Sequence, residues 1–372
     1  MPQDVAERLA GELAGQGLDA IVCLSPENVA YTAGFVVPSQ PLMRWRHAAT
    51  VITADGRQAM VCVDMEESTV RRARPACDVR VWAEFGGSAM ASLAELLRDL
   101  GLAAGRIGVE FGYLPVSDHA ELARLLPGAW LAPADALLAR CRQVKTPGEI
   151  SLLTRLSRIS DAAIAGACAS VAAGSSEMDL AAALTRGVYA AGAQQFKLMI
   201  VATGERSELP NVGPSERVLK PGDVCRVEIF SVIDGYHAGV CRTAVVGDPP
   251  PEAERVYRNL SDCKEILLDA IRPGVLAGEV YARFLSRFDE LAMAPIAFVG
   301  HGIGVDLHET PYLKANAADE LRPGMVLGVE PLVYRTGYGF GMQIKDMMAV
   351  TGDGCDLLSD VTDTTEPLFI QA

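Results

Sequence analysis

Two histidines lie seven residues apart in one glycine-framed segment, Gly300-His301-Gly302-Ile303-Gly304-Val305-Asp306-Leu307-His308-Glu309, and the whole chain has only five. Imidazole exchanges protons near neutral pH and ligates metals, so His301 and His308 are candidates for either role; each can equally be a packed core residue. A second segment, Pro323-Gly324-Met325-Val326-Leu327-Gly328-Val329-Glu330-Pro331, carries a carboxylate, and Lys345 follows in the run Gly341 to Val350. Cys241 stands two residues after Gly239 in the run Tyr236 to Val246. A strand alternates its faces, so positions 239 and 241 share one. A thiol close to a lysine and a histidine ionises and becomes a nucleophile; buried on a strand it is a small hydrophobe. Arg44-Trp45-Arg46-His47 offers a guanidinium fork that suits a carboxylate. The same stretch also reads as a solvated basic loop.

The elements that must position these groups fall into two parts. Asp4 to Gln16 has helical spacing with Val5, Leu9 and Leu13 on one face. Ala20 to Leu24 is a short buried strand. Ala49 to Thr53 and Gln58 to Val63 flank an Asp55-Gly56 hairpin signal. Helices are expected over Met65 to Arg74, Ser88 to Leu100 and Val116 to Leu126, and a strand over Ile107 to Glu110. A turn-rich linker, Val144 to Glu149, places Pro147 where a helix begins. Beyond it come helices over Glu149 to Ala173 and Met178 to Ala191. Strands over Val224 to Ile233 and Tyr236 to Val246 are joined by Asp234-Gly235. Helices follow at Glu252 to Ile271 and Glu279 to Ala292. Strands are expected at Ala297 to Gly300, Met325 to Val333 and Gly341 to Val350. This is a mixed α/β chain.

Composition narrows the function. Half of the 372 residues are hydrophobic and 22% are charged, enough for a large core and too apolar for disorder. Basic side chains number 33 and acidic ones 47, a net charge of −14 that repels nucleic acid and anionic membranes. No run is long and apolar enough to span a bilayer. The first residues, with Asp4, Glu7 and Arg8, lack an apolar signal core. Nine cysteines scattered without a CxxC favour reduced thiols. The expectation is a cytoplasmic protein with a small-molecule substrate.

With Lys220-Pro221-Gly222-Asp223-Val224 and Arg242-Thr243-Ala244-Val245-Val246-Gly247, the two glycine-rich segments resemble, in order, the M24 "pita-bread" superfamily. That group holds methionine aminopeptidase, Xaa-Pro peptidases, creatinase and ectoine hydrolase. The resemblance implies a creatinase-like α/β domain over residues 1–143 and a pita-bread catalytic domain over 144–372, an α/β (α+β) fold. Peptidases of the group hold two metal ions with Asp, Asp, His, Glu and Glu. Those positions are Glu228, Gly239, His301, Glu330 and Lys345 here. A glycine offers no ligand, and an ammonium beside a dication is repelled. His308 matches a histidine that contacts substrate. Creatinase works without metal, but its catalytic histidine falls at Asn211 and its hairpin glutamate at Cys241. The segment from Val227 to Thr243 is closer to ectoine hydrolase. Arg46 matches an arginine that reaches a partner subunit's substrate, which implies a homodimer with shared sites.

The resulting expectation is a metal-independent, creatinase-like hydrolase with no cofactor. It cleaves a C–N bond of a small, carboxylate-bearing amine, amide or guanidino compound, with elimination or cyclisation also open. Lys345 supplies positive charge in place of a metal. Glu330 or Glu228 acts as general acid/base with His301 or His308, and Cys241 completes the catalytic set. His308, Asn211, Arg46 and Tyr236 bind substrate. Two alternatives stand beside it. One is an inactive binding protein in which Glu228, Glu330 and Lys345 form a structural ion cluster. The other is a single-metal Xaa-Pro-type peptidase.

Overall fold

The structure, a computed structural model, describes residues 3–294 and 296–372. It divides into two compact units, residues 1–142 and 143–372.

In the first unit the strands β1 (Ala20–Cys23), β2 (Ala49–Thr53), β3 (Gln58–Val63), β4 (Asp78–Trp82), β5 (Arg106–Val109) and β6 (Trp130–Pro133) form one sheet in the order β4-β3-β2-β1-β5-β6. The expected hairpin pairs β2 with β3 antiparallel, while β4, β5 and β6 add in parallel. Helices α1 (Gln3–Gln16), α2 (Pro26–Ala33), α3 (Glu67–Ala73), α4 (Ala89–Asp99), α5 (Val116–Leu125) and α6 (Asp135–Gln143) complete it. Apolar residues of β1, β2, β3 and β5 pack with α4 in its core. The short elements α2, β4, β6 and α6 were not expected. Trp130 and Arg80, on β6 and β4, face outward enough to blur any apolar run.

In the second unit α7 (Pro147–Ala169) starts where the linker proline predicts. Thr146 and Glu149 close a reciprocal capping box there, satisfying backbone donors at the helix start. α8 (Glu177–Ala190) packs on α7. Strands β7 (Gln195–Thr203), β8 (Val224–Ile233) and β9 (Tyr236–Val246) form a meander. Asp234 and Gly235, at φ 51° and 85°, make the two-residue turn that matches strand twist. α9 (Pro251–Ala270) and α10 (Ala277–Glu290) follow. The remaining strands are β10 (Phe298–Gly302), β11 (Glu309–Lys314), β12 (Val326–Val329), β13 (Leu332–Val333), β14 (Met342–Gln343), β15 (Asp346–Val350), β16 (Cys355–Leu357) and β17 (Leu368–Ile370). Apart from β13 and β14, which pair only with each other, they build a sheet β11-β10-β12-β15-β16 beside a sheet β17-β9-β8-β7. Residues of α9, α10, β10, β12 and β15 share one apolar core.

Two expected strands are broken, and the breaks matter. The run Met325 to Val333 stops at Glu330-Pro331, because proline has no N–H for the ladder. The run Gly341 to Val350 breaks at Ile344-Lys345. Lys345 instead forms an isolated antiparallel bridge with Cys241, which joins the two sheets. Glu330 and Lys345 thus sit at interruptions, where side chains converge.

Candidate active site

Strand alternation builds the floor. Arg226, Glu228 and Phe230 are two residues apart on β8 and share a face. Their cross-strand neighbours on β9 are Thr243, Cys241 and Gly239. Lys345 lies beside Cys241, each backbone N–H donating to the other's carbonyl at 3.2 and 3.0 Å. His301 enters from β10, opposite Gly328 on β12. Gly328 is what lets the groups meet: a Cβ there would lie 3.2 Å from Lys345 Cε and 3.6 Å from His301 Cε1.

Four groups surround the Lys345 ammonium. Glu330 Oε2 is 3.1 Å from Nζ and Glu228 Oε1 is 3.4 Å away. His301 Nε2 is at 3.3 Å, and the Phe230 ring centroid is 4.6 Å from Nζ. His301 Nδ1 lies 2.8 Å from the Gly302 carbonyl, which can only accept. That fixes the proton on Nδ1 and turns the Nε2 lone pair toward the ammonium. Glu330 Oε2 also accepts from Gln343 Nε2 at 3.1 Å. Gln343 Oε1 in turn accepts from Arg226 Nη1 at 3.1 Å. Arg226 Nη2 donates to the carbonyls of Leu209 and Pro210, so the loop bearing Asn211 is tied to the same network. The Tyr334 ring centroid lies 5.0 Å from the Arg226 guanidinium carbon.

The charges are set by burial and by each other. Burial pulls against a charged Lys345, but Glu330 and Glu228 outweigh it and hold the ammonium above its ordinary value. Glu228 is raised, chiefly by burial and further by Glu330, although Lys345 opposes this. Burial first and then Lys345 push His301 well down, so it stays neutral. His308 is lowered by the same two causes. Its ring stacks on His301 with centroids 3.6 Å apart and planes 10° from parallel. His308 is exposed, whereas His301 has no exposed surface.

The geometry sorts the sequence candidates. Glu228, His301, His308, Glu330, Lys345 and Cys241 come together. Cys241 is buried, and burial and then Glu228 drive its thiol well above the ordinary value. It stays protonated, which opposes the nucleophile reading. Tyr236 stands apart: it donates to Glu149 Oε1 at 2.9 Å and supports the α7 capping box. Arg46, in the first unit, is paired with Glu84 at 2.8 Å. Sequence reasoning missed Arg226, Phe230 and Gln343. Counting by two along β8 from Glu228 finds the first two; nothing local marks Gln343. It also missed Arg242, which donates to the Lys345 carbonyl at 2.8 Å and pairs with Asp161 and Asp346.

Comparison with known proteins settles the lineage. Residues 151–352 match the profile of metallopeptidase family M24, and residues 6–144 match the creatinase/prolidase N-terminal domain. The chain belongs to metallopeptidase family M24. Within the family it is 30% identical to the probable dipeptidase PepE of Mycobacterium tuberculosis over 93% of this chain and 91% of that one. The dipeptidase PepE structure from Mycobacterium ulcerans matches with a TM-score of 0.83 and 26% identity, covering 100% and 98% of the two chains. An Xaa-Pro dipeptidase from Bacillus anthracis, 24% identical, shares the fold with a TM-score of 0.85 over 99% of each chain.

These relatives overturn the creatinase-like, metal-independent, non-peptidase reading, along with its lyase and cyclase variants. They are peptidases, matched nearly end to end, in a metallopeptidase family. The error came from reading substrate class off substituted ligand positions, when fold and length carry the lineage and those positions do not.

The M24 family implies metal, and the donor set present does not fit the five-ligand pattern. Among the described residues no group of three or more His, Cys, Asp or Glu side chains is placed to hold an ion. At position 239 any side chain would overlap the Phe230 ring. At position 345 the ammonium stands among the remaining donors. A dication about 3 Å from it would meet repulsion on the order of 10 kcal/mol at an effective dielectric of about 20.

Proposed function

We propose that this chain is a short-peptide hydrolase of the dipeptidase type, with an Xaa-Pro dipeptide as its substrate class. The near full-length match to a dipeptidase at 30% identity carries the reading. The site is compatible in its chemistry. A peptide carbonyl directed at Lys345 Nζ would have its developing oxyanion stabilised by a fixed positive charge. Glu330, held by Gln343, is the carboxylate beside that charge. It would take a proton from the attacking water as the C–O bond forms, and return it to the leaving nitrogen as the tetrahedral oxyanion collapses and the C–N bond breaks. The exposed, neutral His308, stacked on His301, stands where it can hydrogen-bond the incoming peptide. The test is proline release from Ala-Pro, Gly-Pro and Leu-Pro against Ala-Ala, with and without added Mn²⁺. Activity on the first three, lowered at least about a hundredfold by Glu330→Gln, is expected. No proline from any of them under either condition ends the proposal.

A second reading is favoured by one observation: the Lys345 ammonium already has three close polar partners. A chain that binds the dipeptide without cleaving it would give calorimetric binding of Ala-Pro and no proline.

The assembly proposed is a homodimer. Supporting it, Leu42, Trp45, Met65 and Phe85 of the first unit are all largely exposed, near Arg46 in sequence or through its contacts. Sedimentation is expected to give twice the chain mass, and Trp45→Asp with Phe85→Asp to give the chain mass. A reducing, cytoplasmic setting is proposed on the nine unpaired cysteines. No helix among the described residues is long and apolar enough to cross a membrane.

A further inference from the structure

Glu228 Oε1, Glu330 Oε2 and His301 Nε2 surround a single point, and Lys345 Nζ occupies it at 3.4, 3.1 and 3.3 Å. We infer that Lys345 is an internal plug: its ammonium competes with one divalent transition-metal ion for the same three donors. Two carboxylate oxygens and an imidazole nitrogen are donor types that ligate Zn²⁺, Co²⁺ or Mn²⁺, but spread around the ammonium they are not placed to hold an ion. His301 is already oriented as a ligand, its Nδ1 bonded to the Gly302 carbonyl and its Nε2 turned inward. The present spacing is that of hydrogen bonds, and metal bonds of roughly 2.0–2.2 Å require each donor to close by about 1 Å. The donors cannot close while Nζ stands between them. The Phe230 ring shuts the flank next to position 239, which leaves room for one ion rather than two.

This inference does not depend on the substrate. It concerns which cation the donors hold, and it stands or falls apart from proline release. The test uses the full chain, stripped with chelator and titrated with Co²⁺, read by d–d absorption and calorimetry. Lys345→Ala is expected to take up one Co²⁺ at least a hundredfold more tightly than the wild type. Adding Glu330→Gln to that variant is expected to remove the gain. The melting temperature of Lys345→Ala is expected to rise with Co²⁺ while that of the wild type does not. Equal affinity in wild type and variant overturns the inference, as does a folded Lys345→Ala that takes up no ion. If Lys345→Ala does not fold, Lys345→Gln is measured against the same two outcomes. Tight Co²⁺ uptake by the wild type itself, with a histidine-ligated spectrum, overturns it whatever the variants do.

Discussion

Lys345→Met is expected to lower the unfolding free energy by roughly 3–5 kcal/mol, the usual cost of stripping one partner from a buried ion pair. Methionine keeps the length and much of the packing, so the loss isolates charge. Lys345 is about 1% exposed, and Glu228 and Glu330 are each at most 5%. Without the ammonium two carboxylates face each other with little water to screen them. One will hold a proton. The effect has a predictable sign with pH. The Glu228 carboxyl already sits above its ordinary value through burial, with Glu330 adding to it and Lys345 opposing; deleting Lys345 raises it further. A raised folded value means that the folded state binds the proton more tightly than the unfolded chain. That contribution is full below the unfolded carboxylate value of about 4.3. It is lost as pH climbs through the folded value. The gap between wild type and variant should therefore be small in acid and widen toward neutrality in urea titrations. Lys345→Met combined with Glu228→Gln and Glu330→Gln should recover most of the loss, since neutral amides need no counter-charge. A gap that stays constant with pH, or a triple variant no better than the single, removes the charge argument.

Much of this site was legible before any coordinates, and the limits of that reading are physical. The hairpin of β8 and β9 could be read residue for residue, because Asp234-Gly235 between two apolar runs leaves few alternatives. His301, Glu330 and Lys345 could be placed by motif order. The spatial partners could not. Gln343 touches Glu330 only because the chain turns between β13 and β14, and no periodicity reports that. Arg226 looked like an ordinary strand residue; its burial follows from three carbonyl and amide partners contributed by distant segments. Tyr236 shows the opposite failure. It was expected to bind substrate, but it lies five residues from Cys241 on the same strand, an odd offset that puts it on the other face, where it meets Glu149 at the start of α7. Strand β7 escaped notice because its first half alternates with exposed Gln195 and Lys197. The substrate class failed for another reason. Ligand substitutions say which ions a site tolerates, and they are silent on which bond a lineage cuts.

Gly239→Asp, which restores the carboxylate of the five-ligand pattern, is expected to destabilise the chain by on the order of 3 kcal/mol or more rather than create a metal site. The reason lies in the cross-strand pair Phe230 and Gly239. The aromatic ring lies over the glycine, a pairing that covers bare backbone with apolar surface. An aspartate Cβ would overlap that ring, which would have to leave a buried site between β8, β9 and the lysine. The displaced ring also gives up its contact with the Lys345 ammonium. Shortening the ring should relieve the clash, so Phe230→Ala with Gly239→Asp is expected to be more stable than the sum of the single changes by about 1 kcal/mol or more. Urea unfolding of the four proteins measures that coupling. A Gly239→Asp chain as stable as the wild type, or strictly additive changes, would mean that the ring is not what fills the position. If the coupling is found, the departures at 239 and 345 are one change. The ring takes the space of one ligand, the ammonium rests on the ring, and the ammonium satisfies the carboxylates that remain. Putting the carboxylate back at 239 alone then breaks the arrangement while the ammonium still holds the remaining donors, which is why that ligand by itself should not return an ion to the pocket.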